Sequence, residues 1–207
     1  PLEVRFSGSI VAIREAGDTD GSIVVGTPFS GTLRFEDSIQ DLLAGPSFSR
    51  YFTDQQPSTF SLTLGTAPFL PGDPSLFQVD ITNAPVPGPG FEGFRDRFTF
   101  FPGLIDPGPL TQTFGERFDI VRFSIRLRSS STTATSTDDL FAFPFDLAAF
   151  PDASVMFIVP AFRADGSCCA TFDATGRIDR LVRVPEPGVA ALLALGLALV
   201  GCRRASW

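Results

Sequence analysis

Carboxylates, guanidinium groups and three cysteines carry most of the reactive chemistry in this chain. All sixteen basic residues are Arg, and His is absent. Ser–His and Cys–His catalysis, His-ligated metals, Schiff bases and the P-loop Lys are therefore excluded. The carboxylates allow two chemistries. Asp18-Thr19-Asp20-Gly21 is the start of a calcium-type loop, because hard cations want clustered carboxylates. No acid follows in Ser22 to Val25 and no bidentate Glu sits at the right distance, so Asp18 and Asp20 are weak Ca2+ candidates beside a plain Asp/Gly turn. A carboxylate pair can also hydrolyse glycosides without His. Glu36, Glu92 and Glu116 are the candidates, with surface acids as the simpler reading.

Arg122, Arg126 and Arg128 fall on one face of an alternating segment. Such a stripe can meet an acidic polysaccharide or simply be a solvated face paired with nearby Asp and Glu. With a formal charge of −7 and no Lys, the chain is a poor nucleic-acid binder. Cys168 and Cys169 are adjacent, and Cys202 lies near the end. Neighbouring strand residues point to opposite faces. The pair is then a strained vicinal disulfide, an intermolecular bridge or two free thiols. Without His or a second Cys pair, no zinc site is expected. Gly88-Pro89-Gly90-Phe91-Glu92-Gly93 has the spacing of a dinucleotide motif. That motif needs a strand before it and a helix after it, whereas here prolines precede it and an alternating Phe segment follows. Sugar platforms of Trp or Tyr are scarce: apart from Trp207 there is only Tyr51.

The elements that must position these groups are strands. Hydrophobic residues make up 43% of 207 residues, enough for a packed core. Val121, Phe123, Ile125 and Leu127 alternate with Arg122, Ser124, Arg126 and Arg128. Phe77, Val79 and Ile81 alternate with Gln78, Asp80 and Thr82, and Leu2, Val4 and Phe6 with Glu3, Arg5 and Ser7. Period two predicts antiparallel sheet with one face buried. Strands are expected to begin near residues 2, 22, 58, 75, 94, 117, 153 and 169. Ala16 to Ser22 is expected as a hairpin connection, and Pro/Gly loops fall at 71–74, 85–90 and 102–109. Ser129 to Asp139 reads as a mobile surface tract. One short helix is expected over Asp37 to Ala44, where Ile39, Leu42 and Leu43 share a helical face. About eight strands with such loops predict an all-β domain of antiparallel β-sandwich or jelly-roll type over residues 1–184. Most of the twenty-three Phe are expected in its core. Phe6-Ser7-Gly8-Ser9-Ile10 and Phe29-Ser30-Gly31-Thr32-Leu33 are near copies. They are either a duplication or two paired strands using Gly for a bulge or close packing.

The last two dozen residues differ in kind. Pro185-Glu186-Pro187 precedes an apolar run from Val189 to Cys202, and Arg203-Arg204 closes it. Prolines can precede a helix but not sit inside one. The run is apolar all round, as in a buried or membrane helix. Fourteen residues span only about 21 Å, short of a hydrocarbon core of about 30 Å. Snorkelling Arg and local thinning of the bilayer make up the difference, and the paired Arg marks the cytoplasmic side.

This order of Pro-Glu-Pro, apolar helix and basic end resembles the PEP-CTERM sorting signal of Gram-negative bacteria. The resemblance covers residues 184–207. It implies export, transient anchoring in the inner membrane by helix 189–202, and processing near Pro185, Glu186 and Pro187 by exosortase, an integral-membrane transpeptidase-like protease. An export leader upstream of Pro1 is expected in the precursor. The resemblance further implies a surface or extracellular-matrix destination in an exopolysaccharide or biofilm setting. The body is similar to Phe-rich domains that precede such tails, a likeness that adds no activity. A structural or interaction role, without catalysis, is the leading expectation for residues 1–184. The alternatives are an exported carbohydrate-active hydrolase using Glu/Asp and a permanently membrane-anchored binding module.

Overall fold

A computed structural model describes residues 1–15, 23–36, 39–42, 45, 48–53, 59–69, 77–83, 96–101, 104–105, 121–131, 134–135, 139–162 and 168–185. Twelve strands occur among them: β1 (Leu2–Glu15), β2 (Pro28–Phe35), β3 (Gln40–Asp41), β4 (Phe48–Thr53), β5 (Thr59–Leu64), β6 (Ala67–Phe69), β7 (Phe77–Asn83), β8 (Asp96–Phe101), β9 (Leu104–Ile105), β10 (Val121–Ser129), β11 (Asp152–Phe162) and β12 (Cys168–Val184). All pair antiparallel in one sheet of order β3-β4-β7-β8-β10-β11-β12-β1-β2-β5-β6, with β9 also on β10. The expected all-β antiparallel class is therefore present.

The two layers come from one sheet curled on itself. Strands β5 and β8 are far apart along the sheet, yet the rings of Phe60 and Phe100 lie 5.7 Å apart. Phe35 meets Phe100 at 5.7 Å, Phe60 meets Phe123 at 5.1 Å, and Phe6 meets Phe123 at 6.3 Å. Alternation puts these Phe on the inner face, where they bury large apolar area without a polar atom to satisfy. Residues 139–151 close one side of this core. Phe143, Phe145 and Phe150 are buried, and Phe98 packs on Phe143 at 5.2 Å and on Phe145 at 5.1 Å. Phe145 sits at φ 44°, a left-handed conformation held by that packing. Arg183 Nη1 donates to the Phe141 carbonyl at 2.7 Å and ties the segment to β12.

Three expectations are corrected. The helix over Asp37 to Ala44 is not formed: Gln40 and Asp41 pair as β3 with Phe52 and Tyr51 of β4. Ile39 is buried while Leu42 is exposed, so the two do not share a face. Leu42 N–H donates to the Arg50 carbonyl, and Arg50 N–H donates to Asp41 Oδ1. Pairing with β4 outweighs the weak helical tendency of so short a segment. Secondly, the strand expected from residue 22 begins at Pro28. Ile23 to Thr27 instead form a turn in which Gly26, at φ 96°, donates to the Ile10 carbonyl. Finally, the Ser/Thr tract is anchored where it is described. Ser129 ends β10 and is buried, and the buried Thr135 donates its N–H to Asp96 Oδ2 at 3.0 Å. A buried backbone donor needs a partner, and the Asp96 carboxylate supplies it.

Candidate functional site

Most of the described charged residues lie on the outer face of the sheet, and two groups of them on that face bear on function. One crosses β4, β7, β8, β10 and β11. Register places Arg50 opposite Asp80, Asp80 opposite Thr99, Thr99 opposite Arg126, and Arg126 opposite Ser154. Arg50 holds Asp80 through Nε at 2.7 Å and Nη2 at 3.0 Å, a bidentate pair, and Gln78 Nε2 donates to the same carboxylate. The hydrogen bond to Asp80 raises the Arg50 pKa against the opposing effect of burial. Arg128 pairs with Asp152 at 2.8 Å. Burial lowers the pKa of both Arg97 and Arg126, and Arg128 lowers it further in each case. Thr99, 3% exposed, and Ser124, 4% exposed, are buried on this same face. The patch is thus a half-buried network of paired Arg and Asp, not a purely basic surface.

The second patch is open. A cleft of about 560 Å³ lies on the outer face of β12, β1, β2 and β5. Two rows of paired residues cross it. One runs Arg180, Ser7, Ser30, Thr63; the other runs Val182, Arg5, Thr32, Ser61. Neighbouring strands are about 4.8 Å apart, so each row spans about 14 Å. Its floor is therefore hydroxylated, its cations are Arg5 and Arg180, and Val182, Val184 and Pro185 form an apolar end. Two carboxylates flank it: Glu3, which takes Arg5 Nε at 2.9 Å and Nη2 at 2.8 Å and leaves Nη1 for another partner, and Asp179, which takes Arg177 Nε at 2.8 Å. A bulge shapes the rim: Ser7 pairs with Arg180 but Gly8 with Ile178, so Asp179 is an extra residue on β12. Bulges re-aim side chains and raise local twist.

Such a surface can hydrogen-bond a polyhydroxylated ligand and neutralise anionic groups on it. The sequence reading missed it, although the clue was legible. Ser30, Thr32, Ser61 and Thr63 all fall on the polar phase of alternating segments, and pairing of those strands puts them side by side.

The residues singled out from sequence do not converge. Glu36 pairs with Arg34 at 3.1 Å, while Glu92 and Glu116 lie outside the described residues. Asp18, Asp20, the Gly88–Gly93 loop, Glu186, Pro187, Arg203 and Arg204 also lie outside them. Among the described residues no cluster of three metal-ligating side chains occurs, and no helix is long and apolar enough to cross a membrane. Arg126 and Arg128 belong to the half-buried paired network, and the side chain of Arg122 lies outside the described ones. Cys168 pairs with Phe162 and Cys169 is the extra residue of a bulge, with both side chains outside the description. Tyr51 is buried and its hydroxyl accepts the N–H of Leu140 at 3.1 Å, so it is an internal anchor and not a sugar platform. Pro185 stands exposed directly after the last strand. No protein-family model, curated protein or solved structure matches the chain.

Proposed function

We propose that this chain is an exported bacterial surface or extracellular-matrix protein. Residues 185–207 act as a PEP-CTERM-type sorting signal. In this reading helix 189–202 inserts in the inner membrane with Arg203 and Arg204 on the cytoplasmic side. Exosortase recognises Pro185, Glu186 and Pro187 and processes the tail. The body, residues 1–184, then serves as a structural or interaction module in an exopolysaccharide setting.

The observation that carries the reading is the three-part order of the tail itself. It is supported by where the sheet ends. Strand β12 runs to Val184, and Pro185 is exposed immediately after it. A processing enzyme needs an extended segment free of the ladder, and Pro185 cannot donate to one. Cutting there leaves every described strand intact.

The test is the intact mass of the protein recovered from the outer fraction of an exporting host. Loss of the tail mass from near Pro185–Pro187, with retention of full length when the host exosortase is deleted, is the expected result. Full-length chain at the surface in both hosts would instead mean a permanent anchor. Retention in the cytoplasm of both would end the export reading.

A further inference from the structure

We propose that the open cleft across β12, β1, β2 and β5 binds an acidic glycan chain, with carboxylate or sulfate groups on Arg5 and Arg180 and sugar hydroxyls on Ser30, Thr32, Ser61 and Thr63. The inference deepens the reading above and rests on it only for the class of partner.

Charge selects the ligand first. The body carries 22 acidic and 14 arginine side chains, a net of −8, so most of its surface repels anions. The cleft lining differs, with two Arg and no acid. The Arg180 side chain has no hydrogen-bond or ion-pair partner among the described residues. Arg5 is 65% exposed and its pair with Glu3 is a surface pair of little strength. Arg180 can therefore grip a planar carboxylate or a sulfate bidentately, and Arg5 can add Nη1 beside its pair with Glu3.

The floor selects within the anions. Its five hydroxyls, on Ser7, Ser30, Thr32, Ser61 and Thr63, each donate one hydrogen bond and accept others, the same dual capacity that a sugar hydroxyl has. Four of them stand in neighbouring pairs, Ser30 beside Thr63 and Thr32 beside Ser61. Small side chains keep the floor flat, and the sheet holds them at fixed spacing, so little ordering is needed on binding. Val182, 39% exposed, offers an apolar surface for the C–H face of a ring. The cleft is open and elongated, which suits a chain passing across it better than a small molecule enclosed by it.

Affinity electrophoresis of the full chain tests this with four polymers: polygalacturonate, dextran sulfate, neutral dextran and linear polyphosphate. Retardation by polygalacturonate or dextran sulfate is expected, and whichever retards it names the anionic group. Neutral dextran should not retard it. The double variant Arg5→Gln/Arg180→Gln should lose about tenfold or more in affinity, through loss of charge-assisted hydrogen bonds. Ser30→Ala/Ser61→Ala should lose about threefold, and Arg34→Gln, on the same outer face but outside the cleft, should lose nothing. Unchanged melting temperatures verify that the variants fold. An Arg5→Gln/Arg180→Gln variant that binds like the parent, an equal loss in Arg34→Gln, no binding to either acidic glycan, or polyphosphate held as tightly as the glycans would overturn the proposal. Tail processing is read separately in the host, so failure of the cleft leaves the sorting reading standing, and the reverse.

Discussion

Phe6 stands directly across from Gly31 in the β1–β2 ladder, and its ring fills the space that a Cβ at position 31 would need. Two residues along, the relation is inverted: Phe29 faces Gly8, and its ring would lie 2.7 Å from a Cβ there. Ser7 faces Ser30 at the centre. The near copies Phe6-Ser7-Gly8 and Phe29-Ser30-Gly31 are thus antiparallel partners, each Phe covering the Gly of the other. Phe29 also crosses Gly176 on β12. Of the two explanations that the sequence allows, pairing with Gly for close approach is the one the fold uses.

Gly31→Ala should therefore destabilise the protein. Its new methyl meets both the Phe6 ring and the Ser61 carbonyl, one of which is backbone and cannot step aside. Overpacking of this kind costs about 1–3 kcal/mol. A second change, Phe6→Leu, removes one of the two clashes, so the double variant should lose less than the two single losses combined. Urea unfolding midpoints measure all three. Full additivity would mean that the ring and the glycine do not interact.

Period two made most of this fold readable. Strands expected near 2, 58, 75, 94, 117, 153 and 169 begin at Leu2, Thr59, Phe77, Asp96, Val121, Asp152 and Cys168. Each has apolar residues on one phase, because only one face meets the core. Strand β4 was illegible for the opposite reason. Its inward positions include Ser49, which is buried, while Phe48 lies on the other phase beneath Arg50, 5.5 Å from the guanidinium carbon. Curling of the sheet was also out of reach. Nothing local tells Phe60 that it will meet Phe100, since that contact depends on the accumulated twist of the strands between them. For the same reason the cleft could not be read from one strand. Its floor needs the β2–β5 register, and its rim needs the bulge at Asp179.

Arg50 and Asp80 should respond unequally to substitution. The Asp80 side chain is 8% exposed and the Arg50 side chain 38%. Arg50→Ala takes both guanidinium hydrogen bonds from a buried carboxylate, leaving it the Gln78 amide and the charge of Arg97, so it should cost about 2–3 kcal/mol. Asp80→Asn leaves Arg50 able to turn toward water, and should cost about 1 kcal/mol or less. Thermal or urea melts of the two single variants decide it. Equal losses would show that Asp80 is better solvated than its burial indicates.

Asp96 gives the protein a pH dependence with a definite sign. It is fully buried, and burial raises its pKa, opposed by backbone N–H donors from Thr135 and Ala134. As pH rises, the unfolded carboxyl therefore loses its proton before the folded one does. The native state then binds more protons, so stability falls as pH rises through this window and the loss persists above it. Asp96→Asn keeps an acceptor for Thr135 and removes the charge. The stability of Asp96→Asn relative to the parent should therefore grow between pH 4 and pH 7. Urea midpoints of both proteins at the two pH values measure this, and a difference that stays constant or shrinks would reverse the assignment.

Tyr51→Phe separates anchoring from recognition. The ring remains in the core, but the buried Leu140 N–H loses the oxygen that accepts it. A stranded buried donor costs about 1–3 kcal/mol. The loss should be local first, because this hydrogen bond and the Arg183 contact with Phe141 are polar ties between residues 139–151 and the sheet. Amide exchange at Leu140 and Phe143 should accelerate more than exchange in β1 or β12. Affinity for polygalacturonate should not change, since Tyr51 faces the interior and the cleft lies on the outer face of other strands. A Tyr51→Phe variant with parental exchange at Leu140 but weakened glycan binding would put the aromatic side chain at the binding surface and remove the anchoring role.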